Sequence, residues 1–325
     1  MHRRAFLELA AATALTAASP SIASARGRPA SRLFALATAD DSASIVVVDL
    51  ASGDYHSRIG TIDGPSSIET VGGGTIALVG HADHGAISLI DVATLRVRHE
   101  IGGLGEPRYA AGSPDGRHAY VTDAAWGELL VVDLQAGRIV ARADAGRYAR
   151  HVTISPDGRT VYASLGSKAA AISVLDVRDP RRPRLLRTFA PVDRAHDVVM
   201  SPDGRRLWVT SGTTEQVALH DARTLAPIAR VDAGAAPQHV AMAGARVFVA
   251  SGAGKRMRTF RPDGGLLRST QIPLDSYNVT AGGGRVVTPS LMLGTLTTLD
   301  AEGAFIRRER IANASHDACI VQSPN

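Results

Sequence analysis

The chain has 325 residues, of which 45% are hydrophobic and 21% charged, the balance of an ordinary soluble globular protein. Its formal charge of +5 rests on arginine, with Lys168 and Lys255 the only lysines, and the basic residues are scattered except for RDPRRPR at Arg178–Arg184, which reads as a solvated loop. A nucleic-acid partner is therefore not favoured.

In chain order the first element is a leader. His2-Arg3-Arg4-Ala5-Phe6-Leu7 resembles the twin-arginine export motif, an Ala/Leu-rich segment follows, and Ala23-Ser24-Ala25 is an A-x-A cleavage site. Residues 1–25 are expected to be removed as a signal peptide, leaving residues 26–325 as the mature domain. The resemblance implies export in the folded state, to a periplasmic or extracellular location. The apolar stretch is too short and too rich in alanine for a membrane span, and no cysteine follows the cleavage site, so no membrane anchor is expected. The single cysteine, Cys319, permits no intramolecular disulfide and sits in an apolar run, where a buried inert thiol is expected.

Beyond the leader, one phrase recurs. Apolar runs end in Asp at IVVVDL (to Leu50), ISLIDV (to Val92), LLVVDL (to Leu134) and ISVLDV (to Val177). Weaker copies are VALHDA (to Ala222), MRTFRPD (to Asp263) and LTTLDA (to Ala301). The steps Asp49–Asp91, Asp91–Asp133, Asp133–Asp176 and Asp176–Asp221 measure 42, 42, 43 and 45 residues. Within the fourth copy, HVTIS, TVYAS, ISVLDV and LLRTFA (from His151, Thr160, Ile172 and Leu185) alternate or run apolar as strands do. Four short strands per repeat of this length predict a β-propeller blade, and seven copies predict an all-β, seven-bladed β-propeller. The first strand-like run after the leader, LFALAT from Leu33, matches a second strand, and the last, SHDACIVQ from Ser315, matches a first strand without a successor. The C-terminal strand is thus expected to complete the N-terminal blade and close the ring.

The phrases SPDGRHAYVTD, SPDGRTVYAS and SPDGRRLWVTS (from Ser113, Ser155 and Ser201) resemble the YVTN-type β-propeller repeats of exported bacterial and archaeal proteins. The resemblance covers the three middle blades; elsewhere the SPDG turn decays to GGG, AGA or is lost. It implies fold and leaves activity open, because that family is functionally mixed.

Candidate site residues come from the loops on one face. Aligning the entries to the first strands gives Ser67, Tyr109, His151, Asp197, His239, Asn278 and Asp317, preceded by Ser66, Arg108, Arg150, His196, Gln238, Tyr277 and His316. All are polar or Tyr, all precede apolar runs, and four of the ten histidines beyond the leader fall among them. They predict a ring of imidazoles and carboxylates around the top mouth of the central channel. Neutral imidazole is a common metal ligand, so His151, His196, His239 and His316 are candidates for a divalent metal, joined by His81 and His84 of the HADHG loop. Tyr109, His151, Asp197, Asn278, Asp317 and the loop residue Trp126 are candidate ligand contacts, whereas Trp208 lies within a strand and reads as core. Arg108 and Arg150 at the same mouth favour an anionic ligand.

Two functions remain open at this point. One is a monomeric binding protein that takes a small molecule, an ion or a protein partner at this mouth. The other is a lactonase- or lyase-type enzyme, metal-dependent or using Arg108 and Arg150 for a developing oxyanion, with His196 or His239 as general base. Electron transfer is disfavoured, since too few histidines ring the mouth for a multi-copper cluster. No nucleophile elbow, P-loop, dinucleotide fingerprint or paired-cysteine motif is present.

Overall fold

Each repeat folds as a four-stranded antiparallel meander because its polar residues supply the turns and its apolar runs supply the strands. In a computed structural model describing residues 31–323, the described chain forms seven such sheets; the expected leader, residues 1–25, lies outside the described residues. The SPDG phrase is a turn held by its own side chains. Ser113 Oγ donates to Asp115 Oδ1 (2.5 Å), Asp115 Oδ1 accepts from Arg117 N (3.0 Å), and Gly116 takes a φ of 70°. The same pattern recurs at Ser155–Gly158 and Ser201–Gly204. The repeated Asp is also a turn device: Asp133 Oδ1 accepts from Gln135 N (3.0 Å) and Ala136 N (2.9 Å).

The fourth copy illustrates the blade. Its strands are Ala149–Ile154, Thr160–Leu165, Ile172–Asp176 and Arg184–Phe189, numbered outward from the axis. The innermost strands of the other contiguous blades are Ser67–Val71, Pro107–Gly112, Ala195–Met200, Val240–Ala243 and Thr280–Gly282. The remaining blade is composite: Ala318–Ser323 pairs antiparallel with Arg32–Ala39, which continues into Ser44–Asp49 and Tyr55–Gly60. The ring closes as its ends required.

No blade has a core of its own. Burial is divided into seven layers, each between two neighbouring sheets. Leu36, Val47, Ile68 and Val79 fill the layer between the first and second blades, and Tyr120, Val131, Val161 and Leu175 that between the third and fourth. Successive residues of one strand serve opposite layers, which is why the second and third strands are apolar almost throughout. Trp208, fully buried against Phe260 at 6.1 Å, is the largest core side chain. Cys319 is buried too, and burial pushes its thiol up to about 12. Among the described residues no helix is long and apolar enough to cross a membrane.

The closing strand should matter more than its length suggests, since without it the inner edge of Arg32–Ala39 and two apolar layers open at once. Deleting residues 314–325 is expected to abolish a single cooperative thermal transition and to give associated species on size-exclusion chromatography. A circular permutant that joins residue 323 to residue 31 and begins at residue 314 should retain wild-type Tm. Cooperative, monomeric unfolding of the deletion variant would refute this role.

Candidate functional site

The innermost strands of the middle blades begin with a β-bulge, and the bulge falls on the two polar residues of each repeat. Pairing with the second strand shifts between Pro107 and Ala110, between Ala149 and Val152, and between Ala195 and Val198. In each of the pairs Arg108-Tyr109, Arg150-His151 and His196-Asp197 two residues thus face one of the second strand, so one extra residue breaks the strict alternation there.

A second-strand hydroxyl holds each bulge. Thr210 Oγ1 accepts from Asp197 N (2.9 Å) and donates to Gln238 O of the next blade (2.7 Å). Ser164 Oγ does the same between His151 N (3.3 Å) and His196 O (3.0 Å), and Thr122 Oγ1 between Tyr109 N (3.3 Å) and Arg150 O. Two carboxylates add further stitches. Asp197 accepts from its neighbour Val198 N (2.7 Å) and from Val240 N across the blade boundary (3.1 Å). Asp317 accepts from Ala318 N (2.8 Å) and Ile68 N (3.0 Å) in the same way. Asn278 Nδ2 donates to His316 O (3.0 Å), and the His316 ring lies 2.8 Å, through Nδ1, from Ser66 O. These clasps were not anticipated from the sequence, although their signal is visible as the T or S of YVTD, YASL and WVTS.

Within this frame His151, His196 and His239, from three successive blades, come together. One ring nitrogen from each lies within 4.8 Å of the others. The ring centroids of His151 are 4.7 Å from those of both His196 and His239, and Tyr109 stacks on His151 at 4.4 Å. On each ring Nδ1 faces an acceptor of the protein: Ser164 Oγ for His151 (3.4 Å), Ser167 O for His196 (3.1 Å) and Asp197 Oδ2 for His239 (3.6 Å). Ser164 already donates its proton to His196 O, so it can only accept from His151. Ser164 Oγ and Ser167 O thus place the proton of His151 and of His196 on Nδ1, while the His239–Asp197 contact is longer than a hydrogen bond; among the described residues no hydrogen bond reaches Nε2 of these rings, and on His151 that atom is buried.

Charge is strongly disfavoured on these rings. Burial, then the neighbouring imidazoles and Arg150, hold His151 and His239 well below the ordinary imidazole value, and burial and Arg150 bring His196 down to about 4. The carboxyls move the other way. Burial raises Asp197 to about 7 and Asp317 to about 6, and burial together with Asp317 pushes Glu69 well above the carboxylate range.

The other expected residues are placed less centrally. Tyr109, Asp197, Asn278 and Asp317 line the channel cavity of about 400 Å³, together with His151, His239 and Glu69. His316 stands outside the three-histidine group, though near enough for its charge to disfavour protonation of His196 and His239. Gln238 and Tyr277 are engaged locally, with Gly252 N and Asp275 respectively. Arg108 pairs with Glu106, while Arg150 lies 5.7 Å over the Tyr109 ring.

The HADHG loop does not add to the funnel as expected. His81 is fully buried with Nε2 on Ser88 Oγ (2.9 Å) and Nδ1 on Asp63 O (3.2 Å), so both nitrogens are used in packing. His84 is exposed on the turn that follows. Trp126 is likewise outside the cavity lining; half-exposed, it carries the Arg142 guanidinium at 5.3 Å.

Two measurements test this account. Thr210→Val leaves Asp197 N and Gln238 O without their partner and should cost about 1–3 kcal/mol in urea unfolding, with Thr210→Ser close to wild type; equal midpoints for all three proteins would refute the clasp. The histidines bind protons more readily in the unfolded chain, so they make stability fall as pH drops from 6.5 to about 4. Asp197, raised when folded, has the opposite sign and costs stability as pH rises from 3.8 to about 7. Replacing all three histidines by Gln should therefore remove the acid-side loss and leave the other slope; parallel stability curves would contradict the neutral triad.

No protein-family model matches the chain, and no curated protein matches it either. Solved structures do. AztD from Citrobacter koseri, in its apo form, superposes with a TM-score of 0.70 at 9% identity, covering 90% of this chain and 98% of that one. A second AztD structure from the same organism gives 0.69 over the same shares. Hydrazine synthase of Kuenenia stuttgartiensis gives 0.64 at 18% identity, over 79% of this chain and 89% of that one. At such identities the likeness shows the fold, a seven-bladed β-propeller.

Proposed function

We propose that this chain is an exported binding protein whose top mouth holds one divalent d-block ion on His151, His196 and His239. The observation that supports it is the shared pattern of the three rings, each with Nδ1 turned to a protein acceptor and Nε2 left over. Such outer partners fix the tautomer and orientation of metal-ligating imidazoles. Neutral rings are the ligating form, and burial keeps these neutral without competition from protons. The donor set is nitrogen only, which suits zinc, copper, nickel or cobalt and not calcium or magnesium.

Geometry fits with small adjustment. A tetrahedral ion with bonds of about 2.0–2.1 Å needs nitrogens about 3.3 Å apart. The ring nitrogens lie within 4.8 Å of one another, so an ion would draw them together by up to about 1.5 Å. Three protein ligands leave one position for an outside ligand. An enzymatic reading, lactonase or lyase, would use that position, but a histidine brought down to about 4 makes a weak general base at neutral pH. His196 and His239 are thus better suited to hold an ion than to take a proton.

Metal-free protein titrated with Co²⁺ or Zn²⁺ is expected to take up one equivalent, and Co²⁺ to show the visible spectrum of a low-coordinate nitrogen site. Replacing any one of the three histidines by Ala should weaken uptake by about 100-fold or more, while His84→Ala leaves it unchanged. Wild-type affinity in the three-histidine variant, or no uptake by the wild type, would overturn the proposal.

A further inference from the structure

Arg150 is the unexplained charge of the mouth. It occupies the bulge immediately before His151, partly buried, and its guanidinium lies over the Tyr109 ring at 5.7 Å. Among the described residues it makes no ion pair and no side-chain hydrogen bond, and its Nε is buried without a partner. Its neighbour Arg108 has Glu106 to pair with; Arg150 has no such carboxylate. Yet it stands beside the triad: it precedes His151 in the chain, and the Tyr109 ring that it overlies stacks on His151 at 4.4 Å and lies 5.4 Å from the His239 ring.

Of the carboxyls that line the mouth, Glu69 is driven toward its neutral acid by burial and by Asp317, and Asp197 and Asp317 are already committed. Both oxygens of Asp197 accept backbone N–H groups, and so do both oxygens of Asp317. Three neutral imidazoles contribute no charge to offset a bound ion. A divalent ion on the triad would keep its full charge beside an unpaired guanidinium, in a mouth that burial has partly dried. Like charges held together in a site of low polarity are costly unless an anion joins them.

We infer that the outside ligand at this mouth is a small oxyanion, a carboxylate by preference, held jointly by the ion's open position and the Arg150 guanidinium. This rests on the metal-site reading above. The planar fork of an arginine matches the two oxygens of a carboxylate, and phosphate offers the same edge. The Tyr109 ring lies beneath the guanidinium, 5.7 Å from it. The cavity below, about 400 Å³, has room for a ligand of a few heavy atoms beyond its charged head.

The test uses the full mature chain loaded with Co²⁺, whose visible spectrum reports the ligand set. Acetate and inorganic phosphate are titrated in as probes, with acetamide as the neutral control. Wild type should show a saturable shift with acetate and none with acetamide. Arg150→Gln should bind Co²⁺ in anion-free buffer at least as tightly as wild type, because a repelling charge is gone, yet bind acetate about tenfold or more weakly. Arg150→Lys should recover only part of the loss. A stronger response to phosphate than to acetate would replace carboxylate by phosphate as the preferred head. Equal acetate affinity in wild type and Arg150→Gln, with Co²⁺ bound to both, would overturn the oxyanion inference and leave the metal site standing. Loss of Co²⁺ from Arg150→Gln alone would overturn it too, by giving Arg150 a purely structural part. Failure of the wild type to bind Co²⁺ would remove both readings together.

Discussion

Neighbouring blades of a propeller meet face to face, so no backbone ladder joins one innermost strand to the next. The side chains of Thr122, Ser164, Thr210, Asp197, Asp317 and Asn278 cross those boundaries instead. Each satisfies a backbone group that the bulge or the channel would otherwise leave open, and each ties it to the adjoining repeat. A buried amide or carbonyl left alone is costly, which makes these links obligatory rather than decorative. The position of every side chain at the mouth follows from them.

The same constraint settles the electrostatics. His239 and Asp197 lie 3.6 Å apart, a distance at which an ion pair would raise the imidazole and lower the carboxyl. Both shift in the opposite direction. Burial outweighs the Val240 and Val198 N–H groups that pull Asp197 back down, and on His239 burial is joined by the like-charged surroundings (His196, His316 and Arg150) that penalise its cation. The result is a neutral imidazole beside a carboxyl whose oxygens hold the blade boundary.

Much of the fold was legible because it is repeated. The Asp-terminated runs and SPDG turns are local devices, each closed by hydrogen bonds within a few residues, so their chemistry can be read without the rest of the molecule. The orphan strands at Leu33 and Ala318 likewise announced their pairing. Within the mouth, alignment brought out His151, His196 and His239 but could not separate them from His316 or from the HADHG histidines. For His81 that distinction depends on nitrogens already used, since both are spent on Ser88 and Asp63. For His316, whose Nδ1 is engaged as in the triad, it depends on position, outside the group of three. The bulges escaped notice for a related reason: an inserted residue shows itself only against its partner strand, and two polar residues in a row look the same in either case.

A repeat scaffold also explains how such a site can be asymmetric. The fold needs each bulge pair only to offer its backbone to the clasp, so the side chains there are free to differ from blade to blade. One arc of the mouth, running through the fourth, fifth and sixth blades, carries the three imidazoles. The opposite arc carries Asn278, Asp317 and Ser67, small or self-satisfied groups that leave the channel open before them. Arg108 and Arg150 stand where the imidazole arc begins. Seven equivalent positions are thus divided between those that hold the ring together and those that turn polar atoms to the channel, and His151 does both: its backbone N–H closes the Ser164 clasp while its Nε2 remains unspent.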